Sequence, residues 1–252
     1  ISEERFITEK EAESGIFKDI KKIKEKNYFF KMSAYQQKLI EHIKQNPDFI
    51  LPDYRKNEVL GFLNKPLNDL CISRPKSRLK WGIELPFDED YVTYVWFDAL
   101  INYISSIGYS NSNEKFRKFW PANIHLIGKD ILTTHCVYWP TMLMSIGLDL
   151  PKTIFAHGWW LNRDSKMSKS VGNVINPLDL IDELDEDSLR FFLMRDMKLG
   201  QDSNFSEELF FTRYNSDLAN DLGNLLSRIT NLIDKFFEGK LSSGFDKSPR
   251  GR

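Results

Sequence analysis

Between residues 91 and 194, short apolar runs alternate with amphipathic ones, and this alternation limits the possible folds more than any other property of the chain. Residues 91–97 (YVTYVWF) are β-branched and aromatic and read as a buried strand. Asp98 is placed to start the next helix, with Ala99, Tyr103 and Ile107 on one face. Residues 108–122 read as a polar connection. A short apolar strand follows over 124–127, Gly128-Lys129-Asp130 turns into a helix from Ile131, and residues 153–156 form another strand. Pro177, preceded by Asn176, suits the first position of a helix over 178–184, and a further helix covers 188–194. Such alternation predicts an α/β fold with a parallel sheet and crossover helices.

The texture changes at Ser206. Phe210, Tyr214, Leu218, Leu222, Leu225, Ile229, Leu232 and Phe236 recur every three or four residues, which predicts one long amphipathic helix or a helical hairpin, the start of a bundle. A domain boundary is therefore expected between residues 199 and 206. Upstream, Ser33 with Gln36 is a capping-box signature ahead of a helix that Asn46-Pro47 stops. A second short helix is expected over 58–63, and turns and short strands over 64–90.

Composition narrows the function classes. Lys+Arg (35) nearly equals Asp+Glu (36), so no global basic field points to nucleic acid, and any such contact must be local. The run KDIKKIKEK at 18–26 reads either as an RNA or partner patch or as a solvated surface. Cys71 and Cys136 are too few and too far apart for a disulfide framework or a CxxC zinc site, which fits a reducing, cytosolic setting. The weakly charged segment 132–148 holds His135, Thr133, Thr134 and Pro140 and reads as a core helix, not a membrane span.

The chemistry concentrates in residues 156–177, AHGWWLNRDSKMSKSVGNVINP. Lys166 and Lys169, three residues apart among serines, suit a polyphosphate whose charge grows as a bond breaks, while Gly172 lets the loop bend. A random K-x-x-K would be only an exposed basic turn, but the string KMSKS after a strand and an HG dipeptide is far more specific. Gly128 and Asp130 stand at a strand C-terminus, where ligands bind in doubly wound sheets; the glycine permits close approach and the carboxylate suits ribose hydroxyls. Trp96, Ala99 and Tyr103 share one helical face, as do Ile131, His135 and Trp139; by spacing alone both stripes read as core. Asn224 and Arg228 lie at i, i+4 on the late helix and by themselves read as solvated.

FAHGWW…KMSKSVGNVINP, YVWFDALINYI, HLIGKDILTTHCVYWP, NPDFILP with RKNEV, and FFLMRDMKLGQDSNFSEE together resemble bacterial-type methionine–tRNA ligases (methionyl-tRNA synthetases), class I aminoacyl-tRNA synthetases, across residues 3–236. The resemblance implies the second half of a Rossmann-like nucleotide-binding fold with part of the inserted connective domain (1–85), the catalytic half with its KMSKS loop (86–199), and the stem-contact region and start of an all-α anticodon-binding bundle (200–252). It implies ligation of L-methionine to tRNA(Met), initiator tRNA included, with ATP and Mg2+ through a methionyl-adenylate, in the cytoplasm and without a membrane. Lys166 and Lys169 are then the catalytic cations; Gly128, Asp130, His157, Trp160 and Lys169 bind ATP, in part through backbone. Trp96, Ala99, Leu100, Tyr103, Ile131 and His135 line the methionine pocket, with the Tyr103 hydroxyl donating weakly to the thioether, and Asn224 and Arg228 read the CAU anticodon.

The sequence departs from the family in one place. Class I enzymes carry H-x-G-H, and His42, His125, His135 and His157 form no such motif. The expectation is a segment that begins within the connective domain, with no metal site and no structural zinc, weakly stable and inactive by itself. The alternatives are another class I ligase for leucine, isoleucine or valine, and a catalytically inactive tRNA-binding or assembly fragment.

Overall fold

The computed structural model describes residues 25–110, 113–162, 164–168 and 172–240. Lys169 and most of the basic run at 18–26 lie outside the described residues. The chain runs β1 (Phe29–Phe30), α1 (Gln36–Gln45), β2 (Ile50–Leu51), α2 (Asp53–Leu63), β3 (Leu70–Cys71), β4 (Ser73–Pro75), β5 (Glu84–Leu85), β6 (Asp88–Thr93), α3 (Val95–Ser105), α4 (Asn113–Phe119) and β7 (Ile124–Gly128). A 3-10 turn (Lys129–Ile131) and a π-helical stretch (Thr134–Tyr138) lead into α5 (Trp139–Ser145). Then come β8 (Thr153–His157), β9 (Trp160–Asn162), β10 (Ser165–Lys166), α6 (Pro177–Glu183), α7 (Glu186–Asp196), β11 (Ser203–Phe205) and α8 (Glu207–Arg213). A second π-helical stretch (Tyr214–Gly223) continues into α9 (Asn224–Phe237).

A parallel sheet is present as expected, ordered β2–β8–β7 and paired Ile50 to Ile154 and Leu126 to Phe155; β7 and β8 are the strands read at 124–127 and 153–156, whereas β2 is not among the strands the sequence suggests. Side chains alternate across it, so His125, Ile127, Ile154, Ala156 and Ile50 are buried on one face while Ile124 and Leu126 are exposed on the other. The buried face packs on Leu39, Ile43, Val59 and Leu63 of α1 and α2. α3 and α5 form a neighbouring cluster around Leu100, Ile104, Trp120, Trp139 and Leu143.

Four local expectations are revised. The apolar run at 91–97 is not one buried strand: β6 ends at Thr93 in an antiparallel sheet ordered β4–β6–β5, and Val95 already opens α3. Aromatic and β-branched composition does not separate a strand from the first turn of an amphipathic helix; the spacing of Leu100 and Ile104 does. The connection at 108–122 contains α4, whose Phe116 stacks with Trp120 one turn later. The second helix starts at Asp53, five residues ahead of the expected Glu58. The Ser33–Gln36 box does not form. Gln36 Nε2 instead donates to the Leu63 and Lys65 carbonyls at 2.7 and 2.8 Å, and its Oε1 accepts from Leu67 N, so it ties off the end of α2.

The last third folds around Leu180, Leu189, Phe192, Phe205 and Phe210. Asn176, Asp185 and Ser206 cap α6, α7 and α8 by accepting from Leu178, Ser188 and Leu209 backbone N–H groups. Of the two readings of the late pattern, a single helical run from Glu207 to Phe237 is found. Its first part is pinned to α7 by Arg195–Asp217 (3.1 Å) and Arg213–Asp196 (2.9 Å). Beyond that point Leu222, Leu225, Ile229, Leu232 and Phe236 are exposed.

Candidate active site

Two side-chain clusters meet at the C-terminal end of β7, one neutral and buried, the other charged and open. The first is built by α3 against the irregular helix after β7. Trp96, Ala99, Leu100 and Tyr103 share one face of α3. Leu100 is fully packed in the core, whereas Trp96 and Ala99 are exposed. His135 sits in the π-helical stretch with its Nδ1 3.0 Å from the Ile131 carbonyl. A carbonyl only accepts, so Nδ1 carries the proton and Nε2 accepts from the Tyr103 hydroxyl at 2.9 Å.

The Tyr103 proton is therefore committed to His135. What this wall offers at Tyr103 is an oxygen bearing lone pairs and an aromatic ring, its O–H being turned to His135. Behind Tyr103 stands His125, with ring centroids 4.3 Å apart, and His125 Nε2 accepts the Trp139 indole N–H at 3.3 Å. Burial, together with the neighbouring His135, lowers the His125 pKa to about 4. Burial also lowers His135, against the opposing hydrogen bond to Ile131. Both rings are thus held neutral at neutral pH. His125 was not singled out by the sequence. Its one signal was an inward position on a short strand, which a core residue shares.

The second cluster forms where β7 and β8 end side by side, Gly128 paired with His157. A Cβ on Gly128 would stand 2.6 Å from Asp130 Oδ1, so the carboxylate folds back over the strand end only because no side chain is there. A Cβ on Gly158 would overlap the Gln201 carbonyl, which explains the glycine of the HG dipeptide. His157 Nδ1 donates to the Gly158 carbonyl at 2.7 Å. The Trp160 ring packs against Phe192 in the cluster around Leu180 and Phe210.

The KMSKS segment hangs on a small sheet ordered β10–β9–β11. β9 and β10 pair antiparallel, Lys166 opposite Leu161. Asn173 clamps the loop base: its Oδ1 accepts from Ser168 N at 2.8 Å and its Nδ2 donates to the Lys166 carbonyl at 3.2 Å. Lys166 Nζ lies 3.9 Å from Asp130 Oδ2 and 3.9 Å from the Trp159 ring centroid. Slight burial would raise the Asp130 pKa, but the Trp159 N–H and the Lys166 and His157 charges hold it below the usual carboxylate range. Lys129, Trp159 and Asp202 join this cluster; Trp159 lies in the AHGWW stretch that the sequence marks, whereas no local pattern marks Lys129 or Asp202 for it.

The structure thus brings Gly128, Asp130, His157 and Lys166 together, and separately Tyr103, Ile131 and His135, with the turn Lys129–Ile131 joining the two groups. Asn224 and Arg228 are exposed one turn apart on α9, away from both. Among the described residues no three His, Cys, Asp or Glu side chains cluster as a metal site, and no helix is long and apolar enough to cross a membrane.

Residues 7–230 match the family model described as tRNA synthetases class I (M). The chain belongs to that family. It is 52% identical over 232 residues to the methionine–tRNA ligase of Clostridium tetani, covering 91% of this chain and 36% of that protein. It is 50% identical to the methionine–tRNA ligase of Thermotoga maritima, covering 90% and 37%. Its fold matches the crystal structure of Mycobacterium tuberculosis methionyl-tRNA synthetase bound by methionyl-adenylate with a TM-score of 0.77 and 49% identity, over 85% of this chain and 42% of that one. The chain therefore spans a little over a third of the length of these curated relatives.

Proposed function

We propose that this chain provides the adenylate-forming half-site of a methionine–tRNA ligase. The observation that carries the reading is the joining of a neutral aromatic wall (Tyr103, His135) to a phosphate-facing edge (Asp130, Lys166) by one short turn at the end of a parallel strand. Methionine would lie with its thioether along Trp96, Ala99, Leu100, Tyr103, Ile131 and His135, where a polarisable sulfur gains from aromatic edges. ATP, with Mg2+ on its phosphates, would place its ribose near Gly128 and Asp130 and its base near His157 and the Trp160 backbone.

The methionine carboxylate then attacks the α-phosphate, the bond to pyrophosphate breaks, and Lys166 with Lys169 stabilises the charge on the leaving pyrophosphate. In the second step a terminal ribose hydroxyl of tRNA(Met), initiator or elongator, attacks the carbonyl, and AMP leaves. Asn224 and Arg228 offer planar donors to unstacked anticodon bases. The reading extends to a cytoplasmic enzyme divided at residues 1–85, 86–199 and 200–252.

ATP–pyrophosphate exchange, run with the chain at its full encoded length over methionine, leucine, isoleucine and valine, tests this. Exchange with methionine at least a hundredfold above the others is expected. Stronger exchange with a branched aliphatic amino acid would overturn the substrate.

A further inference from the structure

Two lysine ammonium groups rest against a single indole. Lys129 Nζ is 4.2 Å and Lys166 Nζ 3.9 Å from the Trp159 ring centroid. The two are not held alike. Lys129 also bonds Asp202 Oδ2 at 2.6 Å, and the other Asp202 oxygen accepts the Trp159 backbone N–H at 2.9 Å. Lys129 and Asp202 thus form a strut that fixes the tryptophan. Lys166 has a loose ion pair with Asp130 at 3.9 Å, and its side chain is 56% exposed against 21% for Lys129. The Asp130 carboxylate is divided between them: Oδ1 accepts the Trp159 indole N–H at 3.3 Å, and Oδ2 faces Lys166.

We propose that Trp159 is a positioning residue for the ATP-dependent step, parking Lys166 beside Asp130 until a polyphosphate draws the lysine off the ring. The inference rests on the adenylate-forming reading and adds to it a resting place for the first KMSKS lysine. A cation over an exposed ring is weakly held, so the contact confines the side chain without trapping it. A triphosphate carries several charges and wins the exchange. Parking competes with ATP, so removing the ring should lower the ATP KM by roughly two- to fivefold, the factor such a contact is worth.

The test compares Trp159→Leu with Trp159→Phe, which keeps a ring and loses the N–H, in the chain at its full encoded length. In the NMR spectrum of the parent, the Lys166 ε-methylene, assigned through Lys166→Arg, should lie upfield of free lysine under the ring current. Mg-ATP should return it to the free position. In Trp159→Leu it should start at the free position, with the ATP KM in the exchange assay lowered and kcat moved less than KM. Trp159→Phe should fall between Trp159→Leu and the parent in both readouts. An unshifted methylene in the parent, an upfield methylene that ATP leaves in place, or equal KM values for the two variants would overturn the proposal. Absence of methionine-dependent exchange in the parent would instead overturn the proposed function, so the two failures are distinguishable.

Discussion

The aromatic wall and the lysine cluster lie a few residues apart and hold their groups by opposite means. Around Tyr103 the polar groups hold one another through directed hydrogen bonds. Ile131 fixes the His135 tautomer, His135 accepts from Tyr103, and His125 accepts from Trp139, all in a setting that keeps both imidazoles uncharged. Around Lys166 the partners are charges and ring faces at longer range, open to water. Buried hydrogen-bonded groups are costly to rearrange, while exposed ion pairs cost little. The two clusters therefore differ in how readily their groups can move. The structure sets them at either end of one turn.

The largest break in this contrast is expected at the wall. Trp139 is 1% exposed, so Trp139→Ala should destabilise the chain by about 3–5 kcal/mol, read from urea unfolding. Lys166→Ala should leave the unfolding midpoint within about 0.5 kcal/mol of the parent, yet lower exchange turnover by roughly 10²–10³-fold with the methionine KM unchanged. A loss shared between methionine KM and turnover would show that Lys166 acts in binding.

A finer cut is Tyr103→Phe, which leaves His135 Nε2 without its donor. The loss of a buried hydrogen bond is worth about 1–3 kcal/mol, so a methionine KM raised about tenfold with the ATP KM unchanged is expected in exchange assays. Acid should distinguish the clusters too. His125 titrates near 4 in the folded chain against an ordinary value of 6.5, so the unfolded chain takes up the proton first as pH falls. The stability it contributes is full above pH 6.5 and is lost progressively down to about 4, with His135 acting in the same direction. Thermal midpoints across that window should decline less in His125→Gln than in the parent. The smallest effect is expected for Arg228→Ala on α9, which should leave exchange unchanged and lower only tRNA charging.

Much of the site was legible because its chemistry is local. KMSKS and the GKD turn each lie within one short stretch, whereas the Trp96/Tyr103 spacing by itself reads as core. The π-helical stretch at Thr134–Tyr138 was not legible, because its unusual ladder fits the same apolar periodicity as an α-helix. Nor was the strand-to-helix switch at Tyr94, since the residues on either side are equally aromatic. Gln36 misled because a capping box and a long-range tie use the same side-chain amide, and only the neighbouring α2 end decided between them.

The sequence alone determined the strands β7 and β8, the helix start at Asn176-Pro177, the continuous amphipathic stripe after Ser206, and the residue types that meet beside Gly128. These follow from side-chain period and from backbone donors that need nearby partners. Only the tertiary structure decided which tautomer His135 holds, that Tyr103 spends its proton there, and that Trp159 joins Lys129, Asp130, Lys166 and Asp202. Those outcomes depend on groups up to 73 residues apart meeting within a few ångströms, as Lys129 and Asp202 do, and chain-local periodicity carries no record of such meetings.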